Sequence, residues 1–329
     1  MKELESIVRD LIASGEGGVL ATLVTAEGSS YRRPGARLFV SNSGNRIGSI
    51  SGGCLEDDVL LRGKAVEKSG TPEVVIYDTT SENDLVWGVG LGCHGVVRVL
   101  IERLGPQPPW ASAVAENLRH SQSTELAVVW QGGEREAALG TKLRGDGPEC
   151  PGIFYEVISP APRLVIFGAG DAARPLVRLA KEFGWRVTIA DPRPYYAAAD
   201  RFPGADQIIC APAHVLAGRA APGPDALAVI MTHHYVHDVP ILRDLLRLPL
   251  AYLGLLGPKK RTEKILDDLS ASGSAPTAAQ RARLRTPVGL DLGGDTPESV
   301  ALSVVAEMHA VLAGRDGRPL RERQGPIHE

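Results

Sequence analysis

The second half of the 329-residue chain consists of short, mostly apolar runs that alternate with stretches of helical pattern. Uninterrupted apolar runs are typical of strands buried on both faces, and regular alternation of strand and helix is typical of a parallel sheet. The sequence therefore predicts an α/β domain with a doubly wound parallel sheet. Its predicted strands are residues 164–167, 186–190, 207–209, 226–231 and 251–255.

The turn after the first of these strands carries the most specific motif. Gly168, Gly170 and Ala173 match the pattern G-x-G-x-x-A, between a predicted strand and a predicted helix. The first glycine permits a tight turn, the second lets the backbone approach a pyrophosphate, and the small third residue lets the helix pack on the strand. This context predicts a Rossmann-like domain with Gly168, Gly170, Asp171 and Ala172 at the cofactor.

Two residues at the end of the next strand bear on the choice of nucleotide. Asp191 follows the second glycine by about 20 residues, the spacing at which a carboxylate accepts the hydroxyl groups of a ribose. Arg193 suits the 2′-phosphate of NADP instead. The sequence leaves open whether this site binds NAD, NADP, a pterin or nothing, since the fold also occurs without its ligand.

Three further loops follow predicted strands or precede the last helix, and open α/β sheets bind ligands at the carboxyl ends of their strands. The histidines and the aspartate at positions 233–238 could hold a metal, but their spacing matches no zinc motif, so polar lining of a cleft is the preferred interpretation. The last loop either lines the same cleft or caps the helix. The candidate ligand-binding residues of these loops are Thr232, His233, Gly257, Lys259, Asp291 and Gly293.

The first half mixes strand and helix patterns without regular alternation. Apolar residues spaced three and four apart between Leu4 and Ile12 predict an opening helix, and residues 55–68 predict another. Runs rich in β-branched residues predict strands. This half is predicted to be a mixed α/β domain whose topology the sequence leaves open. The predicted strands are residues 19–25, 36–40, 73–77, 96–102 and 125–130.

Prolines mark the boundary between the halves. Pro160 and Pro162 restrict the backbone immediately before the first apolar run of the second half. We therefore expect a mixed α/β domain over residues 1–158 and the Rossmann-like domain over residues 159–313. Residues 314–329 are rich in Arg, Gly and Pro, and we expect this tail to fray.

Two glycine-rich loops of the first half carry groups suited to an anion or a soft metal. Arg32, Arg33 and Arg37 could bind a phosphate through their guanidinium groups or pair with surface carboxylates. Cys54 lies where a glycine turn enters a predicted helix, a location that activates a thiol, and Cys93 lies among glycines before a strand. Both cysteines could equally be small buried hydrophobic residues.

Charge and cysteine content restrict the classes of function. A formal net charge of −3, from 36 basic and 39 acidic residues, provides no general attraction for nucleic acid or an anionic membrane. The opening residues lack the apolar core of a signal peptide, and no stretch approaches the roughly 20 apolar residues of a membrane helix. Four scattered cysteines do not make a disulfide scaffold. We expect a cytoplasmic protein with neither nucleic acid nor membrane as a partner.

These segments, in this order, resemble the XdhC/CoxI family of accessory proteins for molybdenum hydroxylases such as xanthine dehydrogenase and carbon monoxide dehydrogenase. The resemblance extends along most of the chain. In the first half it rests on residues 28–35, 48–56 and 92–93, although His94 stands where the family has a glycine. In the second half it rests on residues 167–170, 190–193, 232–233, 252–257 and 287–293.

The resemblance implies a protein that binds molybdenum cofactor, protects it during sulfuration and delivers it to a client enzyme. The implied partners are a molybdenum hydroxylase apo-enzyme and a sulfur donor. The arginines of the first loop and both thiols then become cofactor contacts, with Cys54 meeting molybdenum. Such a protein would be a maturation factor and not a self-contained enzyme.

Two other classes of function fit the predicted sheet. An NAD(P)-dependent oxidoreductase would use the Rossmann site for hydride transfer, and a regulator would sense a nucleotide without chemistry. An oxidoreductase should retain reduced nicotinamide, whereas a carrier should co-purify with a fluorescent pterin and molybdenum. The sequence leaves open the client enzyme and the oligomeric state, for which a homodimer is one option.

Overall fold

The structure is a computed structural model that describes residues 2–28, 30–78, 95–131, 139–145 and 152–325. The chain divides into two units, Met1–Pro160 and Ala161–Glu329. Cys93 and His94 lie outside the described residues, so the prediction for that thiol stays a prediction. Among the described helices, none combines the length and the apolar character needed to cross a membrane.

The first unit combines helices with two antiparallel sheets. Its elements are α1 (Lys2–Ser14), β1 (Gly18–Gly28), β2 (Arg37–Ser41), β3 (Arg46–Gly48), α2 (Glu56–Ser69), β4 (Glu73–Asp78), β5 (Gly95–Leu104), α3 (Pro109–Arg119), β6 (Thr124–Gln131), β7 (Gly140–Leu143) and β8 (Gly152–Ile158). The larger sheet has the strand order β3-β2-β1-β5-β4, and the smaller has the order β7-β6-β8.

The central strand β1 separates two hydrophobic cores. Val19, Ala21 and Leu23 join the core that includes residues of α2, whereas Leu20 joins the core that includes residues of α1 and α3. Successive side chains of a strand point to opposite faces, so this alternation covers both faces of the larger sheet with helices. The predicted mixed α/β class is confirmed, and the structure supplies the topology that the sequence left open.

The second unit contains a six-stranded parallel sheet with the strand order β11-β10-β9-β12-β13-β14. Its elements are β9 (Arg163–Phe167), α4 (Ala173–Glu182), β10 (Arg186–Asp191), β11 (Gln207–Cys210), α5 (Ala213–Ala220), β12 (Leu227–Ile230), α6 (Tyr235–Leu245), β13 (Tyr252–Leu255), α7 (Lys259–Ala271), α8 (Ala278–Arg283), β14 (Leu284–Arg285) and α9 (Pro297–Leu312). The chain reverses its direction across the sheet between β9 and β12, which is where such sheets bind ligands.

Both faces of the parallel sheet are covered. Leu164 and Ile166 of β9 share a core with residues of α4 and α9, whereas Val165 and Phe167 share a core with residues of α5, α6 and α7. This burial on both faces explains the continuous apolar runs in the sequence. The predicted doubly wound, Rossmann-like sheet is confirmed.

Candidate functional site

The turn that follows β9 needs its two glycines for different reasons. Gly168 has a φ of 122°, and a Cβ atom built there would lie 2.5 Å from the carbonyl carbon of Met231, at the end of the neighbouring strand β12. A Cβ atom built on Gly170 would meet no described atom within 4 Å. The fold therefore requires glycine at position 168, while position 170 keeps open space beside the turn.

The residues after Gly168 offer backbone donors at the start of α4. The N–H groups of Gly170, Asp171 and Ala172 make no hydrogen bond to any described residue. Ala173, the first helical residue, is fully buried and lets the helix pack closely on the sheet. Free N–H groups at a helix N-terminus attract anions. The turn therefore offers three backbone N–H donors to a ligand.

The carboxylate of Asp191, at the end of β10, is fully buried and bonded at both oxygens. Oδ2 accepts the N–H of Ala169 at 2.7 Å and Nη2 of Arg193 at 2.8 Å. Oδ1 accepts the backbone N–H and Nε of Arg193 at 2.8 and 2.9 Å. Burial acts to raise the pKa of Asp191, but these bonds outweigh burial and the pKa lies below its usual value. Asp191 thus ties the glycine turn to Arg193.

Tyr196 and Arg201 join this cluster, although the sequence motif contains neither residue. The guanidinium of Arg193 lies 4.0 Å from the centroid of the Tyr196 ring, and that of Arg201 lies 5.1 Å from it. Arg201 donates to the carbonyl of Ala169 at 3.0 Å and pairs with Asp171 at 3.0 Å. Arg201 comes 30 positions after Asp171, and no sequence pattern links two residues so far apart.

The loop after β12 is held in a strained conformation. His233 has a φ of 59°, a conformation that costs a non-glycine residue about 1–3 kcal/mol. Thr232 donates to Asp238 at 2.5 Å and accepts the N–H of His234 at 3.0 Å. Asp238 is buried and paired with Arg261 of α7. These bonds hold the exposed His233 at the carboxyl edge of the sheet, beside the glycine turn.

Within the part of the chain that the structure describes, the histidines of this loop are not grouped with other metal-binding side chains. The described residues contain no group of three or more His, Cys, Asp or Glu side chains placed to hold a metal. The rings of His234 and His237 lie 5.3 Å apart, and burial, followed by the charge of His234, lowers the pKa of His237. Burial raises the pKa of Asp238, with partial opposition from Thr232 and then Arg261.

The remaining candidates of the second unit lie on two other loops. Gly257 has a φ of 145°, and a Cβ atom there would lie 3.4 Å from the side chain of Arg261, so this turn borders the Asp238 pair. Lys259 is exposed at the first position of α7. Asp291 and Gly293 are exposed before α9, and no described contact joins them to the glycine turn.

In the first unit, the arginine loop and the cysteine loop lie against each other. Arg32 pairs with Glu3 at 2.7 Å and donates to Ser49 at 3.2 Å. The ring of Tyr31 lies 3.6 Å from the position of a Cβ atom on Gly52, two residues before Cys54. Tyr31 is 70% exposed, and Cys54 is also exposed. The structure therefore brings these two predicted loops to one surface.

Ser51 and Glu56 fix the conformation of the cysteine loop. The carboxylate of Glu56 accepts the N–H of Ser51 at 2.9 Å, the N–H of Ile50 at 3.2 Å and the Ser51 hydroxyl. The Ser51 oxygen accepts the N–H groups of Gly53 and Leu55, both at 3.1 Å. The loop is thus closed on both sides of the exposed thiol. The sequence analysis assigned no role to Glu56. The only signal for it in the sequence is that a carboxylate follows the turn within six residues of Ile50, close enough to bond back to the backbone of the loop.

The three predicted anion-binding arginines occupy different environments. Arg33 is exposed and makes no ion pair with any described residue, whereas Arg32 is half-buried in its pair with Glu3. Arg37 lies on β2, is 2% exposed and is paired with Glu156. Burial lowers the pKa of Arg37 to about 10, while the charge of Glu102 acts to raise it. Of the three, Arg33 is free to meet a ligand from solvent.

Comparison with known proteins agrees with these features. The model of the XdhC and CoxI family matches residues 11–78, and the model of the XdhC Rossmann domain matches residues 164–308. A probable xanthine dehydrogenase subunit of Bacillus subtilis is 35% identical, over 94% of this chain and 97% of its own length. The molybdenum cofactor insertion chaperone PaoD of Escherichia coli is 26% identical, over 92% of this chain and 86% of its own.

A solved structure is similar along nearly the whole chain. The crystal structure of a xanthine dehydrogenase from Bacillus halodurans superposes with a TM-score of 0.80 at 30% identity, and the match covers 97% of this chain and 98% of that one. Fold, motifs and sequence identity over nearly the full length therefore agree. The chain belongs to the XdhC and CoxI family.

Proposed function

We propose that this protein is a maturation factor that binds molybdenum cofactor and delivers it to a molybdenum hydroxylase. The names of two relatives, a molybdenum cofactor insertion chaperone and a probable xanthine dehydrogenase subunit, support this class of function. The observation that carries the proposal is the exposed Cys54 in a loop fixed by Glu56 and packed against the arginine loop. Its partners would be the hydroxylase apo-enzyme and a sulfur donor, and a homodimer is the proposed assembly.

The residues of this surface suit the chemistry of the cargo. Molybdenum cofactor has a planar pterin, a phosphate and a soft metal held by a dithiolene. A thiolate such as that of Cys54 is a soft ligand, and the exposed guanidinium of Arg33 is a donor for phosphate. The ring of Tyr31 offers a flat surface to the pterin. The protein would hold the cargo through these groups and leave the oxidation chemistry to the client enzyme.

A cysteine variant tests the proposal. Cys54→Ser keeps the size of the side chain but removes the soft ligand, so the protein should fold and lose bound molybdenum together with activation of the client. Cys210, the exposed thiol described in the second unit, provides the matched control Cys210→Ser. Molybdenum content of protein from a molybdate-replete host and activity of the co-expressed hydroxylase are the measurements.

The outcomes separate the proposed function from its alternative. Loss of molybdenum and of client activation in Cys54→Ser, with both retained in Cys210→Ser, is expected. Full activation of the client hydroxylase by Cys54→Ser would show that the Cys54 thiol is not needed for cofactor delivery. Co-purification of reduced nicotinamide in place of pterin and molybdenum would favour an NAD(P)-dependent oxidoreductase instead.

A further inference from the structure

Asp191 has no capacity left for a ribose. A carboxylate has about four lone-pair positions. In this structure four N–H groups occupy them, one from Ala169 and three from Arg193. A ribose diol could bond to Asp191 only by displacing Arg193, and the charge-assisted bonds of that arginine are stronger than bonds from neutral hydroxyl groups. Asp191 is therefore not available to accept the ribose hydroxyl groups, which is the usual role of an acidic residue at this position.

Arg193 is oriented by the same contacts. Its Nε and Nη2 both bond to Asp191, so the planar guanidinium directs Nη1 away from the carboxylate. The Tyr196 ring, 4.0 Å from the guanidinium, supports it further. Nη1 makes no hydrogen bond to any described residue, and the side chain is 24% exposed. Arg193 thus presents two fixed N–H donors beside the glycine turn.

Donors dominate the surroundings of Arg193. The free backbone N–H groups begin at Gly170, and two other carboxylates of this edge are already paired, Asp171 with Arg201 and Asp238 with Arg261. An arginine at the end of the second strand is where a Rossmann domain receives a phosphate on the ribose. A ligand that fits must supply hydrogen-bond acceptors at this point.

We propose that the second unit binds a ligand carrying a phosphomonoester, which Arg193 holds through Nη1, and that Asp191 is a positioning residue for that arginine. The phosphomonoester could belong to a 2′-phosphorylated adenine nucleotide or to a pterin phosphate, which share this chemistry. A 2′-phosphorylated nucleotide would stand apart from the proposed function, whereas a pterin phosphate would belong to the proposed cargo, and in that case the inference rests on the proposed function.

Paired probes that differ by one phosphate test the inference. Calorimetry compares adenosine 2′,5′-bisphosphate with adenosine 5′-monophosphate, and a pterin phosphomonoester with the same pterin lacking the phosphate. We expect the added phosphate to strengthen binding about tenfold or more in one of the two pairs, because a charge-assisted hydrogen bond has about that effect. The pair that responds identifies the source of the phosphate.

Variants assign the effect to its residues. Arg193→Gln should abolish the preference for the phosphorylated probe, and Asp191→Asn should reduce that preference while affinity for the probe without the phosphate changes less than about twofold. Arg178→Gln is the control, since Arg178 is an exposed arginine of α4 whose contact with Glu298 is a distant 3.9 Å. It should keep the preference.

Several outcomes would overturn the inference. These are equal affinity within both probe pairs, no binding of either phosphorylated probe at millimolar concentration, and a preference that survives Arg193→Gln. An equal loss in Arg178→Gln would also overturn it, by showing general electrostatic attraction. If Asp191→Asn fails to fold, Arg193→Gln alone decides. Loss of client activation in Cys54→Ser has no bearing on these results, so the two proposals fail separately.

Discussion

Glu56 shows how a single carboxylate holds the cysteine loop. Burial acts to raise the pKa of Glu56, but the bonds from the Ser51 hydroxyl and from the backbone of Ser51 and Ile50 outweigh burial, and the pKa is lowered. A pKa that is lower in the folded than in the unfolded protein means that the ionised group stabilises the fold. That stabilisation is present above the ordinary pKa of about 4.3 and is lost as pH falls through the lowered value.

Glu56→Gln should therefore lower the free energy of unfolding at pH 7 by about 1–3 kcal/mol. The amide oxygen can still accept the N–H groups of Ile50 and Ser51, but the amide NH2 then faces the Ser51 hydroxyl, whose oxygen already accepts two N–H groups. The difference from the native protein should shrink toward pH 3. Denaturant unfolding at both pH values measures it. Glu16→Gln, at an exposed turn after α1, is the control and should change stability by less than about 0.5 kcal/mol. An undiminished difference at pH 3 would contradict this account.

Arg37 shows what the sequence cannot reveal about a residue. Its loop predicted a contact shared with Arg32 and Arg33, because the three cations are close in the chain. The position of Arg37 within β2 instead directs its side chain into the first unit, where it pairs with Glu156, 119 residues away. No local pattern contains such a distant partner. The same limit hid the bond from the Ala169 N–H to Asp191.

Strands with a continuous apolar run could be predicted, whereas β3, β7, β8 and β14 have no predicted counterpart. The predicted strand 125–130 corresponds to β6, and the predicted strand 164–167 corresponds to β9, within one residue at either end. The two-residue β14 and the three-residue β3 have too few side chains to show a period. They form because neighbouring strands offer a hydrogen-bonding edge, and that edge exists only in the folded unit.

The turn between β9 and α4 gives a prediction that separates folding from binding. Gly168→Ala places a Cβ atom against backbone and imposes a strained φ, so it should lower the free energy of unfolding by more than about 2 kcal/mol. Gly170→Ala should leave stability nearly unchanged, because its Cβ atom meets no described atom within 4 Å. It should weaken binding of whichever phosphorylated probe the calorimetry identifies, because the backbone can no longer approach a phosphate.

Denaturant unfolding and calorimetric titration with that phosphorylated probe measure the two effects on the same pair of variants. Unchanged affinity for that probe in a folded Gly170→Ala protein would show that its phosphate does not approach this turn. Equal destabilisation by both substitutions would show that the turn needs glycine at both positions for the fold itself.

At the scale of the whole molecule, each unit has its own hydrophobic cores. On the larger antiparallel sheet, one core includes residues of α2 and the other includes residues of α1 and α3, and both contain only residues of the first unit. The two cores on the faces of the parallel sheet contain only residues of the second unit. Units with separate cores can unfold as separate cooperative transitions. A destabilising substitution should then act on the transition of its own unit.

Differential scanning calorimetry should accordingly show two transitions, or a calorimetric enthalpy larger than the van't Hoff enthalpy. Gly168→Ala should lower the midpoint of one transition, and Glu56→Gln should lower the midpoint of the other, with shifts of roughly 2–4 °C for each kcal/mol in units of this size. Glu16→Gln should move neither. A single transition that both substitutions shift equally would show that the two units unfold as one cooperative body, because loss of either core would then carry the other with it.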